Sequence, residues 1–280
     1  MTKVGVVGLG AMGSGIAQLA IEAGLDTVGH EVEAERGEAA RARVEHFLTR
    51  KVEKGQLGQA DRDAAVGRLS LTTELSTLAG CDVVIEAVYE DLGVKQALLR
   101  SLEEVVRPDA ILATNTSALS VTEIASVLER PERAVGMHFF NPAPLMPLVE
   151  IVRAERTSDQ AFEAAFALGS RLGKTPIRCA DTPGFVVNRV LIPLLNDCVR
   201  VLDETCVTPE DLDTAMTKGA GWPMGPCALL DLVGADVHVH ASEALYEKLR
   251  EPRMAPPPRL VRMSKAGKFG RKTGEGFYTY

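Results

Sequence analysis

The chain has 280 residues, 46% of them hydrophobic and 25% charged, a composition and length that suit two globular domains and exclude a disordered or fibrous class. A formal net charge of −7 argues against a nucleic-acid partner, whose protein would carry a basic stripe, so an anionic ligand must be met by local charges. Five cysteines without a C-x-x-C pair indicate neither a zinc site nor a disulfide framework, and they fit reduced thiols in the cytoplasm. The first strand begins at once, leaving no room for a signal peptide, and no apolar run approaches the about 18 residues of a membrane helix, so neither export nor a membrane partner is expected.

In chain order, an apolar run from Lys3 to Val7 feeds into Gly8-Leu9-Gly10-Ala11-Met12-Gly13, and a helical pattern of Ile16, Leu19, Ala20 and Ala23 follows. This is G-x-G-x-x-G in the strand-to-helix setting that gives it meaning. Gly8 makes the tight turn, Gly10 lets the backbone approach a pyrophosphate, and Gly13 lets helix and strand pack closely. The anion then sits on the free N–H groups of a helix N-terminus. A second strand is expected over 24–31, poor in propensity because of Gly29 and His30. Glu31 ends it, about 20 positions beyond the glycines, where a carboxylate binds ribose hydroxyls and repels a 2′-phosphate; this favours NAD over NADP.

A charged helix runs from Ala34 to Lys54, with Val44, Phe47 and Leu48 on one face, and breaks at Gly55 and Gly58. Strands are expected at 69–72, 81–88, 110–114, 134–140, 148–152 and 176–179, with helices between most of them. Continuous apolar strands alternating with helices predict an α/β fold, a Rossmann-like mostly parallel sheet covered on both faces. Ligands bind beyond the carboxyl ends of such strands, where Glu31, Glu90, Ser117 and His138 fall. From Phe185 onward the periodicity is helical, so a dinucleotide-binding domain over 1–183 and an all-α domain over 184–280 are expected. The first helix of that second domain, 185–202, is apolar nearly all round and is expected to be buried against a partner subunit.

His138 stands out by its company. Glu150 lies on a neighbouring strand, Ser117 at the end of another, and Asn188 at the head of the helical domain. A histidine takes up a proton near neutral pH because its ordinary pKa is about 6.5, and a carboxylate beside it holds one tautomer and stabilises the imidazolium. With Ser117 and Asn188 binding an oxygen and a nicotinamide taking hydride, the set describes oxidation of a secondary alcohol. His238 and His240 suggest a metal, but alternate residues of a helix point apart, and no metal is expected.

These residues sit in a wider pattern: the glycine loop, Ile85-Glu86-Ala87-Val88-Tyr89-Glu90, Asn115-Thr116-Ser117, His138-Phe139-Phe140-Asn141-Pro142, Leu148-Val149-Glu150, Thr182 to Arg189, Gly225-Pro226 and Lys272 to Tyr278. Over essentially the whole chain it resembles the L-3-hydroxyacyl-CoA dehydrogenases, most of all their short bacterial branch, the 3-hydroxybutyryl-CoA dehydrogenases. The resemblance implies an NAD domain, a helical domain that forms a homodimer, and an acyl-CoA substrate. It implies His138 as general base, Glu150 as its orienting carboxylate, and Ser117 and Asn188 as ligands of the 3-oxygen. Glu90, Lys95, Ser117, Asn141 and Lys272 match cofactor contacts, and Lys54 matches a coenzyme A contact. Pro147 and Phe47 depart from the pattern near where an acyl carrier would enter, so a carrier-protein thioester or a free hydroxy acid stays open beside coenzyme A. The glycine loop also resembles that of the β-hydroxyacid dehydrogenases, but the lysine that family relies on is absent between Pro183 and Asn196, where Arg189 stands. A cofactor-binding structural protein is the remaining alternative, and the complete set of four polar residues speaks against it.

Overall fold

In the computed structural model, which describes residues 2–280, the first part of the chain runs β1 (Lys3–Val7), α1 (Ala11–Glu22), β2 (Asp26–His30), α2 (Ala34–Glu53), α3 (Gln59–Gly67), β3 (Leu69–Thr72), β4 (Val83–Glu86), α4 (Leu92–Val105), β5 (Ile111–Thr114), α5 (Val121–Ala125), β6 (Ala134–Phe139), β7 (Leu148–Arg153), α6 (Asp159–Arg171) and β8 (Thr175–Ala180). The strands form one sheet in the order β3-β2-β1-β4-β5-β6-β7-β8, parallel except where β7 runs against β6. Successive side chains of a strand face opposite ways, and here both faces are buried. Val6, Ile85, Ala113 and Met137 lie in a core with Ile16 of α1, Leu48 of α2 and Phe162 of α6. Val7, Val84 and Leu112 lie in another, with Leu99 and Leu102 of α4 and Ile124 of α5. Two apolar faces make the central strands β4 and β5 nearly continuous apolar runs, whereas the edge strands β3 and β8 are only partly buried. The chain order reverses between β2-β1 and β4, and the crevice above that point is where such sheets take a dinucleotide.

Two features depart from the sequence reading. Helix α3 carries no apolar period, since Ala65 alone among its residues is buried, and it passes unseen in the sequence. The low propensity of β2 has a packing reason: a Cβ on Gly29 would lie 2.8 Å from Cδ1 of Leu9. Gly29 leaves the space that Leu9, a large residue inside the glycine loop, occupies.

The chain divides at Phe185 into two compact units. The second, Val186–Tyr280, is helical: α7 (Val187–Glu204), α8 (Pro209–Thr214), α9 (Pro226–Val233), α10 (Ala235–Leu249) and α11 (Pro258–Lys265). Its closing segment is tied down by two carboxylates. Asp213 accepts from Cys227 N at 2.7 Å and the Tyr278 hydroxyl at 2.9 Å, and Asp231 accepts from the N–H groups of Phe277 and Tyr278, both at 2.9 Å. Helix α7 is buried on one side within this unit. Ile192, Leu195, Val199 and Leu202 are buried within the unit, whereas Val190 is 62% exposed. The polar Asn196 lies on the buried side: its Nδ2 donates to the carbonyls of Arg253 at 3.1 Å and Met254 at 3.2 Å, and its Oδ1 accepts from His238 Nε2 at 2.8 Å.

Burial pushes the His238 imidazole down to about 4. The unfolded chain therefore binds a proton that the folded one refuses between pH about 6.5 and about 4, so stability is complete above that window and falls as the pH drops through it, by at most about 3 kcal/mol. Replacing His238 with Gln removes this contribution. Urea unfolding at pH 7 and pH 4.5 is expected to show a smaller acid loss in the variant than in the parent; equal losses would contradict the assignment.

Candidate active site

The glycine loop spans the turn from β1 to α1. Gly8 holds φ +83, a conformation few other residues adopt. A Cβ on Gly13 would stand 1.8 Å from the carbonyl oxygen of Gly8, so the close crossing of strand and helix requires glycine there. Gly10 is different: a Cβ on it would meet nothing within 4 Å. Its missing side chain leaves room for a ligand rather than for the protein. The N-terminus of α1 has no side-chain cap and no acidic residue in its first turn, which leaves the loop through Ala11 and Met12 open to a phosphate. Glu31, one residue beyond β2, accepts a hydrogen bond from Leu9 N at 2.6 Å, which fixes its carboxylate beside the loop. An open glycine, an uncapped helix and a carboxylate after β2 fit a dinucleotide.

At the far side of the sheet's parallel part, the reversal of β7 puts Glu150 opposite His138 in the ladder. Cross-strand partners share a face, and His138 Nδ1 lies 2.7 Å from Glu150 Oε2. Both are buried. An ionised carboxylate only accepts, so in this contact Nδ1 is the donor and Nε2 is turned away from Glu150. The imidazole is flanked by the rings of Phe140 and Phe185, with centroids at 4.5 and 5.6 Å. Phe185 has φ +48, a strained value for a bulky residue. Neither aromatic carries a separate signal in the sequence, since a phenylalanine beside apolar neighbours reads as core.

Ser117 is exposed on the loop after β5. Glu90 sets the course of that loop: its Oε1 accepts from Thr116 Oγ1 at 2.6 Å, Ser117 N at 2.9 Å and Ala118 N at 3.1 Å. Burial works to raise the Glu90 carboxyl, but these bonds and the charge of Lys95 outweigh it and hold it below the usual range. Lys95 is fully buried and donates to both oxygens of Glu86, at 2.9 and 3.0 Å. Burial holds the Glu86 carboxyl above its ordinary value, with Lys95 and Thr114 opposing. In the sequence Glu86 belongs to a strand and to the Ile85–Glu90 motif, with no role of its own.

A cavity of about 460 Å³ opens along α1 and α2 toward the segment after β6. Phe47, Pro142, Pro144 and Leu145 give it apolar walls, and Arg43, Arg50, Lys51 and Lys54 line it with positive charge. Asn141 lies in the same lining. Arg43 donates to Ser14 Oγ at 3.0 Å, which ties the cavity to the start of α1. In a chain of net charge −7 this is the local cluster of cations that an anionic ligand needs.

A family model described as 3-hydroxyacyl-CoA dehydrogenase, NAD binding domain, matches residues 3–182, and one described as the C-terminal domain of the same enzyme matches residues 184–280. The chain belongs to the 3-hydroxyacyl-CoA dehydrogenase family. A 3-hydroxybutyryl-CoA dehydrogenase of Mycobacterium tuberculosis is 43% identical over 280 residues, which cover 99% of this chain and 98% of the relative. One of Clostridioides difficile is 40% identical over 278 residues, 99% of each chain. The crystal structure of an (S)-3-hydroxybutyryl-CoA dehydrogenase from Ralstonia eutropha superposes with a TM-score of 0.97 at 40% identity, covering 100% of this chain and 99% of that one.

The first unit is thus the NAD-binding domain of a 3-hydroxyacyl-CoA dehydrogenase family member. It holds together His138 and Glu150, Glu90 and the Ser117 loop, Glu31 and the glycine loop, and Lys54 and Asn141 in one cavity lining. Asn188 and Lys272 belong to the second unit. Asn188 is in the first turn of α7, and Lys272 donates to Asp236 at 2.7 Å. His238 and His240 are buried and exposed respectively, pointing apart as helix geometry requires.

Glu31 gives a direct test of the adenosine end. Glu31→Ala is expected to narrow the preference for NADH over NADPH by about tenfold, the equivalent of one good polar contact. Fluorescence titration with both nucleotides measures it, and an unchanged ratio would move the ribose contact elsewhere.

Proposed function

We propose that this protein is an NAD-dependent dehydrogenase that interconverts a short-chain (3S)-3-hydroxyacyl-CoA, of the 3-hydroxybutyryl-CoA type, with its 3-ketoacyl form. The observation that carries the proposal is the buried His138–Glu150 pair in the NAD-binding unit of a 3-hydroxyacyl-CoA dehydrogenase family member. In the oxidative direction His138 Nε2 accepts the 3-hydroxyl proton, and Glu150, already bonded to Nδ1–H, stabilises the imidazolium that results. The nicotinamide, when bound, supplies the acceptor for the hydride leaving C3. Ser117 binds the 3-oxygen and orients it toward the base. In reduction, the same imidazolium returns the proton to the oxygen. For Asn188 as a second ligand of that oxygen, and for Lys272 as a cofactor contact, the proposal rests on the motifs alone.

The charged cavity supports coenzyme A as the handle. Arg50 and Lys54 offer cations to phosphates, and the half-exposed Phe47, where relatives can carry a small polar contact, offers a ring face to a base. The domain roles follow: residues 1–183 are the NAD-binding domain, and 184–280 the helical substrate and dimerisation domain. The exposed Val190, Leu232 and Val237 of the second unit support a homodimer through that domain. No helix among the described residues is long and apolar enough to cross a membrane, and the free cysteines support a cytoplasmic enzyme.

Two variants test this reading. His138→Gln is expected to lower kcat by about 10²–10⁴-fold while NADH still binds in a fluorescence titration; near-normal turnover would refute the base assignment. Lys54→Ala is expected to raise KM for a coenzyme A thioester by about fivefold and leave KM for the corresponding pantetheine thioester unchanged. Equal effects on both thioesters would take Lys54 off the nucleotide end of the handle.

A further inference from the structure

We propose that Glu86, at the carboxyl end of β4, is a positioning residue: its carboxylate fixes the Lys95 ammonium, and Lys95 holds in place both the loop of Ser117 and the end of the strand that carries His138. The proposal rests on the dehydrogenase reading above. Glu86 touches none of the reacting groups in that mechanism, yet it is fully buried at the site's edge with a charged partner. A buried ion pair is a poor source of stability, because the desolvation of both charges offsets their attraction. What it does supply is a fixed geometry.

Two branches leave the ammonium. In the first, Lys95 Nζ donates to the carbonyl of Asn115 at 3.2 Å. Asn115 also donates its N–H to the Glu86 carbonyl at 2.9 Å, and its Oδ1 accepts from Phe139 N, the residue after His138, at 3.0 Å. In the second, the ammonium stands 3.4 Å from Glu90 Oε2, while Glu90 Oε1 gathers Thr116, Ser117 and Ala118. Glu86 is itself held by the Thr114 hydroxyl and by Val88 N at 3.2 Å. Loss of its charge leaves Lys95 with Glu90 as its one carboxylate partner. The ammonium then draws Glu90 away from the Ser117 loop and releases Asn115, so the base and the oxygen ligand lose their registration together. The cation-lined cavity is built from α1 and α2, which pack on the other face of the sheet from α4, and it does not share these bonds.

The test is a double-mutant cycle read in kcat and KM with NADH and acetoacetyl-CoA, using the parent, Glu86→Gln, Lys95→Met and the double variant. Glu86→Gln is expected to lower kcat by about tenfold or more while KM for the thioester stays within about twofold, and the double variant is expected to be no slower than Lys95→Met alone, because Glu86 acts through Lys95. Losses that multiply in the double variant, or an unchanged kcat in Glu86→Gln, overturn the proposal. Near-ultraviolet circular dichroism checks that each variant is folded. Should Glu86→Gln fail to fold, Glu86→Asp, which keeps the charge and shortens its reach, takes its place in the same cycle with the same expected and contrary results. An inactive parent overturns the dehydrogenase reading, and this proposal with it, whereas an active parent with multiplying losses overturns the proposal alone.

Discussion

The candidate site depends on one cross-strand contact, the 2.7 Å bond between His138 Nδ1 and Glu150 Oε2. Every other strand of the sheet runs parallel to its neighbours, and a parallel register would not set two consecutive strands of this chain side by side with only a short connection. The single reversal at β7 does so, and it does so at the carboxyl end of β6, the edge where the crevice opens. Burial then makes the contact obligatory. A carboxylate with no exposure must be paired or neutralised, and the His138 imidazole is a partner that meets it at 2.7 Å. Glu150 in turn dictates the tautomer, and the aromatic pair Phe140 and Phe185 closes around the ring. The pairing and its buried surroundings both trace to that register.

The dinucleotide end is organised by a different constraint, the lack of side chains. Gly13 has no room for a Cβ, Gly29 yields space to Leu9, and Gly10 has space that nothing in the protein fills. Two of these glycines serve the packing of the fold, and the third leaves open space at the loop. Between the two ends runs the Glu86–Lys95–Glu90 cluster, which is charged, mostly buried and bonded to the loop of Ser117. The bonds of that cluster meet at Lys95, which reaches Glu86, Glu90 and the carbonyl of Asn115.

Much of this was legible from the residues. The glycine loop, the position of Glu31, the strand ends that carry Ser117 and His138, and the division near residue 184 all follow from local pattern, because turn chemistry and apolar runs are written in adjacent residues. What escaped is what depends on residues distant in sequence. Lys95 enters the sequence reading only through its motif, as a match to a cofactor contact, and its full burial against Glu86 shows only once β4 and β5 close around it. The cavity exists only once α1, α2 and the segment after β6 meet. Asn196 reads as a polar interruption of an apolar helix, yet it is the polar centre of the second unit's core. Helix α3 was invisible because it buries almost nothing. Gly29 was read as a weakness of its strand, when its meaning lies in Leu9, twenty residues earlier.

The most direct test of the account is NADH oxidation with acetoacetyl-CoA, measured beside NADPH with the same thioester and beside the free acid acetoacetate with NADH. The account predicts rapid oxidation with NADH and the thioester, much slower oxidation with NADPH, and none with the free acid. Absence of turnover with the thioester, or equal rates with the thioester and the free acid, would contradict it.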